Sequence, residues 1–478
     1  MLARRALAVG VGLATMVTVP HLVPARDYGL AAISAVIFGL AETFKDFGLT
    51  SALMRKGEVA PEEVNFLFWF NGVTTIGLGA VIAAAAPLST LFFHEPMVAP
   101  VLLVSLIGFV AGGVSMQHRS LLTRDLRFQT LAAIDAIALL AQFAVTLAVA
   151  LVTHDVWAIV AGNVVASLLG GLLCVAASRW RPGALRWLPE AGSLFAFGAH
   201  TSVYSLSVFA ANNVAALLVG RVFGAAVLGQ YNRATALQTL PSNNVIGPLA
   251  QAVLPVLARL RLMPELYRKT YLDLVRHLNL VALPTAVVLF VAARPLATAV
   301  LGASWAEAGA ILQALAPAIA ALGFGYAVSD LYITQNRARE LGLLGLFELM
   351  VRCLSVAAAV RFGAIAIAAA FSASTLLVVA VRIAVAGRSG PVSFTDHLRA
   401  AAPALPLALG ALVGALSGAI AGWRFGWPDL AASAAIAGLG LLMSGLFGLT
   451  SSFSRRAMID LARAMSGSGS RPLAQPEA

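Results

Sequence analysis

The stretch LAAISAVIFGLAETFKDFGLTSAL, residues 30–53, is long and apolar enough for a membrane-buried helix, yet it carries Glu42, Lys45 and Asp46 within one turn of each other. At i, i+3 and i+4 the three share one helix face. Each charge near a bilayer centre costs about 2.5 to 3.5 kcal/mol on insertion scales, and lipid contact does not offset this. The stripe is therefore expected to face a bundle interior or a water-filled cavity, which points to a pathway through the protein.

The rest of the chain agrees with a membrane reading. Over its 478 residues it is 60% hydrophobic and 11% charged, with mean hydropathy +0.89, which excludes a soluble globular domain. The net charge of +11 does not indicate nucleic acid, because the basic residues sit in short clusters between apolar runs. Cys174 and Cys353 both lie inside apolar runs, so they read as packing residues rather than a disulfide framework or metal site. No cofactor is indicated.

Apolar runs of spanning length fall at 6–23, 30–53, 64–93, 97–116, 129–152, 156–177, 193–219, 227–258, 271–291, 306–332, 341–360, 363–386, 400–422 and 430–450. The expected fold is an all-α polytopic membrane protein with about fourteen transmembrane helices. Of the 32 Lys and Arg residues, twenty-four then fall on the side of the N-terminus, Arg382 among them, five on the other side, and Lys45, Arg233 and Arg352 within spans. Such a bias places both termini in the cytoplasm. Arg4 and Arg5 ahead of the first run, with Val23-Pro24-Ala25 after it, loosely resemble a secretory signal, but the run is read as a retained first span. Residues 466–478 are rich in Ser, Gly and Pro and read as disordered.

The two halves echo each other. Arg26-Asp27-Tyr28-Gly29 has a counterpart in Leu228-Gly229-Gln230-Tyr231, and Trp157-Ala158-Ile159-Val160-Ala161 in Ile365-Ala366-Ile367-Ala368-Ala369, at offsets of about 200 residues. Two six-helix lobes in one orientation form a parallel repeat, related by a pseudo-two-fold axis along the membrane normal. The lobes would occupy 1–190 and 191–390, with two C-terminal helices in 391–452 and a cytoplasmic tail at 453–478.

An ordered series of short motifs carries a family resemblance from about residue 20 to residue 390. Arg26-Asp27-Tyr28-Gly29-Leu30, followed by Asp46-Phe47-Gly48-Leu49 and Ala52-Leu53-Met54-Arg55, resembles the first hairpin of bacterial polysaccharide and O-antigen flippases. Leu121 to Phe128 resembles their inner loop before span five, Val156 to Val160 their lead-in to span six, and Gly220 to Ala234 the hairpin into span eight. These flippases form the polysaccharide transport branch of the multidrug/oligosaccharidyl-lipid/polysaccharide exporter superfamily. The resemblance implies a two-lobed bundle in the bacterial inner membrane that moves an undecaprenyl-pyrophosphate-linked glycan outward by alternating access, often driven by an ion gradient. It implies a lipid-linked oligosaccharide and membrane lipids as partners, with a polysaccharide polymerase and glycosyltransferases nearby.

A pyrophosphate head needs fixed cations in a polar cavity, and Lys45, Arg233 and Arg352 are the candidates. Asn212 and Asn213 offer hydrogen bonds to sugars, against the alternative of gluing helices together. Glu42, Asp46 and Glu348 are the candidates for ion coupling, since carboxylates in a low-dielectric cavity take up protons readily. Glu348 and Arg352 stand at i, i+4, so they are expected to pair with each other, and the cavity is then less cationic than the resemblance implies. Asp46 belongs to the Asp-Phe-Gly-Leu motif and has a local structural reading, which leaves Glu42 the better coupling candidate. Pro241, Ser242, Asn243, Asn244 and Pro248 should break or kink span eight. Gly410, Gly414, Gly418 and Gly422 predict a close-packing face in span thirteen.

Two other readings fit a polytopic protein. A multidrug exporter of the same superfamily would bind hydrophobic cations in an acidic cavity, which Glu42 and Asp46 suit. A membrane polymerase or ligase needs a soluble loop or an acid/base constellation, and the short connections, such as Trp423-Arg424-Phe425, provide neither. The chain reads as a transporter rather than an enzyme.

Overall fold

The structure, a computed structural model, describes residues 2–45, 60–185, 191–450 and 454–459. Asp46 and the tail at 466–478 lie outside the described residues. Helix dominates throughout, with no strand among the described residues. This is what hydrocarbon demands, because a helix satisfies its backbone hydrogen bonds internally.

The chain divides into two compact units, Met1–Asn232 and Arg233–Ala478. The first unit contains α1 (Leu2–Thr18), α2 (Ala25–Lys45), α3 (Pro61–Phe93), α4 (Val98–Arg124), α5 (Phe128–Thr153) and α6 (Val156–Ser178). It also takes in most of α7 (Ala191–Pro241). Here α4 packs against α2, α3 and α6, while α6 packs against α5. Local chemistry sets several ends. Pro61 opens α3 at the position where a missing N–H costs nothing, and the Asp155 carboxylate caps α6 by accepting from Trp157 N at 3.0 Å.

The second unit contains α8 (Gly247–Arg259), α9 (Pro264–Leu301), α10 (Ala306–Leu315), α11 (Pro317–Thr334), α12 (Ala338–Ala359) and α13 (Ala364–Ser389). It continues with α14 (Phe394–Ala401), α15 (Ala404–Phe425) and α16 (Asp429–Thr450). Its pillar is α9, which packs against α10, α11, α15 and α16. The expected glycine face is there: a Cβ at Gly410 or Gly414 would overlap the carbonyl oxygen of Met443 or Leu439, and one at Gly418 would lie 2.8 Å from Ile436 Cα. Backbones therefore meet directly along α15 and α16, the packing that small residues permit in membranes.

Among the described residues eleven helices are long and apolar enough to cross a membrane, or twelve if the pair α10 and α11, bent by 47°, counts as one span. The difference from fourteen has two sources. The apolar part of the first helix, Leu7–His21, is short for a span, and the expected spans at 193–219 and 227–258 lie in one helical run, Ser205–Leu262. That run is interrupted at Gly224, whose φ of 84° and ψ of 176° are open to glycine and strained for other residues. Further along, the Pro241 to Pro248 cluster produces the expected irregularity as a π-helical turn, Ser242–Ile246, whose Ser242 hydroxyl lies 3.0 Å from the Tyr326 hydroxyl.

Arg382, expected at a cytoplasmic span end, stands within α13 with its side chain 10% exposed and its guanidinium on a carboxylate.

Candidate functional site

In the first unit the two described members of the charged stripe differ in surroundings, Lys45 buried and Glu42 half-exposed. Lys45 is 1% exposed, and its Nζ donates to Glu42 Oε1 at 2.7 Å and to the Phe109 carbonyl at 3.4 Å. It also stands 4.4 Å from the centre of the Phe109 ring, a cation–π contact that helps a desolvated ammonium. Gly112 makes room for it, since a Cβ there would be 3.7 Å from Nζ. Glu42, half-exposed, opens onto a cavity of about 250 Å³ between α2, α4 and α6. Ser34, Ser105, Asn163 and Ser167 supply the other polar walls, and Phe38 and Phe109 the aromatic ones. Asn163 is oriented by Gln142, whose Nε2 donates to Asn163 Oδ1 at 2.6 Å.

The second unit holds a denser cluster. Arg352 Nη2 donates to Glu348 Oε1 at 2.8 Å, the expected i, i+4 pair, and Arg382 Nη2 donates to Glu348 Oε2 at 2.6 Å. Arg352 is 2% exposed, donates through Nη1 to Thr375 Oγ1 at 3.0 Å, and lies 3.9 Å from the Phe371 ring centre. Two guanidiniums thus share one carboxylate between α12 and α13. Planar forks held in this way suit charge-assisted hydrogen bonds to an anion.

Among the described residues, neither asparagine candidate hydrogen-bonds to these clusters. Asn213 donates to the Phe209 carbonyl at 2.8 Å within its own helix, Asn212 is exposed, and among the described residues no hydrogen bond joins either to Glu42 or Lys45. Arg233 is half-buried in α7. Asp46 lies outside the described residues. Sequence reasoning missed Arg382, Thr375 and the serine and asparagine walls of the cavity. For Arg382 a signal existed, because it falls within the run 363–386 that was itself read as a span. Single serines among apolar residues carry none.

A third polar group ties α14 to the N-terminal part of α9. Tyr271 Oη donates to His397 Nε2 at 2.9 Å, His397 Nδ1 donates to the Ser393 carbonyl at 2.8 Å, and Arg268 meets Asp396 at 2.8 Å. Burial pushes the His397 pKa down, against the Ser393 and Asp396 interactions that favour its cation. Burial would raise that of Asp396, but hydrogen bonds from Ser393 and Arg268 outweigh it and hold the carboxyl at about 2.

Among the described residues no group of three or more His, Cys, Asp or Glu side chains is arranged to hold a metal ion.

Comparison with known proteins adds the family context. The profile of a family described as "Polysaccharide biosynthesis protein" matches residues 21–310. The chain is similar to the lipopolysaccharide biosynthesis protein WzxC of Escherichia coli (strain K12), 27% identical over 315 residues, covering 65% of this chain and 63% of the relative. It is also similar to the teichuronic acid biosynthesis protein TuaB of Bacillus subtilis (strain 168), 26% identical over 279 residues and covering 58% of each. The matches thus span about 60% of the length of these relatives. Among solved structures, the lipid II flippase MurJ in an inward closed conformation superposes with a TM-score of 0.71 at 14% identity, over 95% of this chain and 99% of that one. At that identity the likeness speaks for the fold.

Proposed function

Because the chain belongs to the polysaccharide biosynthesis protein family, we propose that this multi-pass bacterial membrane protein is a flippase that carries a lipid-linked oligosaccharide from the inner to the outer leaflet. The carrier is a polyprenyl pyrophosphate such as undecaprenyl pyrophosphate, the product feeds exopolysaccharide, capsule or O-antigen synthesis, and both termini are cytoplasmic. The observation that carries the reading is the pair Arg352 and Arg382 sharing Glu348, two buried guanidiniums on one carboxylate within apolar helices.

The chemistry follows from that pairing. A pyrophosphate is desolvated at great cost in hydrocarbon unless charge-assisted hydrogen bonds replace its water. Arg352 and Arg382 offer planar forks for its oxygens, and Glu348 holds them neutral enough to persist while no anion is bound. Phosphate arriving at the arginines would compete with Glu348, so substrate binding and rearrangement of α12 on α13 become one event. Arg233, Asn212 and Asn213 remain secondary contacts for the head group and sugars. In the first unit, the hydroxyls and amide around Glu42 suit hydrated groups, and Glu42 is the residue placed to exchange a cation or proton with the cavity. Lys45 holds one of its oxygens, so uptake of a cation there is coupled to release of Lys45. Polymerase and glycosyltransferase partners follow from where such a product is used.

The multidrug-exporter reading draws support from the aromatic flank of Glu42, with Phe38 and Phe109 rings 5.3 Å apart, a surface that an organic cation would match. Lys45 already neutralises that carboxylate, and the arginine cluster has no use in such a protein.

Deletion of the gene tests the choice. The flippase reading expects lipid-linked glycan to accumulate on the inner leaflet and surface polysaccharide to be lost. Unchanged polysaccharide with greater sensitivity to cationic drugs overturns it in favour of the exporter.

A further inference from the structure

Resting on that transport reading, we propose that the cavity between α2, α4 and α6 is a subsite for one neutral pyranose ring of the glycan, stacked on Phe38 and held by Glu42, Asn163 and the hydroxyls of Ser34, Ser105 and Ser167.

The hydroxyls point there first. A serine inside a helix can bond back to a carbonyl of the preceding turn. Ser115 and Ser120 of α4 do so, 3.0 Å from the carbonyl oxygens of Gly112 and Met116. Ser34, Ser105 and Ser167 line the cavity, and among the described residues they make no hydrogen bond, although Ser34 is only 6% exposed. Three helices of the first unit thus each turn an unused hydroxyl toward one space. Polar groups withdrawn from bulk water are costly without partners, so the space calls for a polar ligand, or for water that such a ligand displaces.

The other polar walls are half-used in the same way. Asn163 Oδ1 accepts from Gln142 Nε2 at 2.6 Å, so its NH2 group remains to donate. Lys45 occupies Glu42 Oε1 at 2.7 Å, and Oε2 remains to accept. The set therefore offers a fixed donor, a fixed acceptor and three hydroxyls that take either part. That mixture matches the hydroxyls of a sugar, whereas a phosphate asks for donors alone.

Shape and charge narrow the class. The volume of about 250 Å³ lies below the roughly 300 to 1,000 Å³ of pockets for drug-sized ligands, which is room for a ring rather than a chain. Phe38 is half-buried at this wall, and the electron-rich face of its ring suits the C–H face of a pyranose. Phe109 is less available, because the Lys45 ammonium already stands 4.4 Å from its ring centre. The Glu42 carboxylate in the wall repels a uronic acid, so the ring that fits is a neutral one.

Sugar binding can be read without any flipping. Purified protein in detergent is probed by saturation-transfer NMR with methyl glycosides of neutral hexoses and with methyl glucuronide. At least one neutral glycoside should show saturation of its ring C–H protons, and the glucuronide none. Because the serine hydroxyls bond to nothing else, the triple variant Ser34→Ala, Ser105→Ala and Ser167→Ala should keep its melting temperature while affinity falls roughly tenfold or more. Phe38→Leu, which keeps apolar bulk, should weaken binding as well, and Gly72→Ala, which meets open space, should leave it unchanged. No saturation of any neutral glycoside overturns the subsite, as does a signal that survives the serine and Phe38 variants or is matched by the glucuronide. A lowered melting temperature in the triple variant also overturns it, since the hydroxyls then serve packing. Binding that meets every expectation, in a protein whose deletion leaves surface polysaccharide unchanged, contradicts the transport reading and leaves the subsite standing.

Discussion

Glu348 is the residue on which the second unit's electrostatics turn. Two buried guanidiniums bind it, so Glu348→Gln removes the carboxylate they share, a loss expected to cost about 3 to 5 kcal/mol and to lower the melting temperature in detergent sharply. Arg382→Gln leaves a balanced Glu348 and Arg352 pair and should be far milder for stability while impairing export, which a paired comparison of melting temperature and surface polysaccharide will separate. Glu42 behaves differently because it is half-exposed beside a cavity. Glu42→Gln is expected to impair export at normal protein level, and loss of folding instead would make the stripe structural. At this scale the sequence was readable where charge met hydrocarbon: Glu42, Lys45, Glu348 and Arg352 stood out because each violates the apolar run around it. Arg382 escaped because a cation within several residues of a span end is indistinguishable by hydropathy from a topology signal. Ser34, Ser105 and Ser167 escaped because a single hydroxyl ordinarily bonds back into its helix and leaves no pattern.

The elements show which local chemistry survives assembly. Along α15 the four-residue glycine spacing became direct backbone packing on α16, so Gly414→Val should split this hairpin and lower stability measurably, whereas Gly438→Ala, which meets open space, should not. The Pro241 to Pro248 cluster became a π-helical turn rather than a break, and the Asn244 amide donates to the Leu240 carbonyl there at 3.0 Å. The expected spans at 193–219 and 227–258 follow one another across Gly224, whose non-helical backbone separates two helices with almost no connecting loop, a junction no apolar count detects. The α14 clasp gives a pH prediction. Folding lowers the His397 pKa, so the unfolded chain binds the proton first, and stability present above about pH 6.5 is lost as pH falls below it. Asp396, held at about 2, keeps its contribution until far more acid conditions. Thermal melts between pH 8 and 5 should therefore show a decline that His397→Gln flattens, at the cost of a lower melting temperature at pH 8.

For the whole molecule, composition and spacing were enough to reach an all-helical membrane protein, because bilayer thickness and backbone satisfaction leave few alternatives. The motif series pointed to the family to which the profile match over residues 21–310 assigns it. The function proposed from both is directional movement of a charged, hydrated head group past hydrocarbon, with an anion site in the second unit and a coupling carboxylate in the first. Its most direct measurement uses purified protein in liposomes carrying a fluorescent polyprenyl-pyrophosphate oligosaccharide, with a membrane-impermeant glycosidase added outside. The account predicts that protein-containing vesicles expose the inner-leaflet half of the probe to the enzyme, and that Arg352→Gln and Arg382→Gln vesicles do so far more slowly. Equal protection of the inner-leaflet probe in empty and wild-type vesicles, under an imposed proton or sodium gradient of either sign, would contradict it.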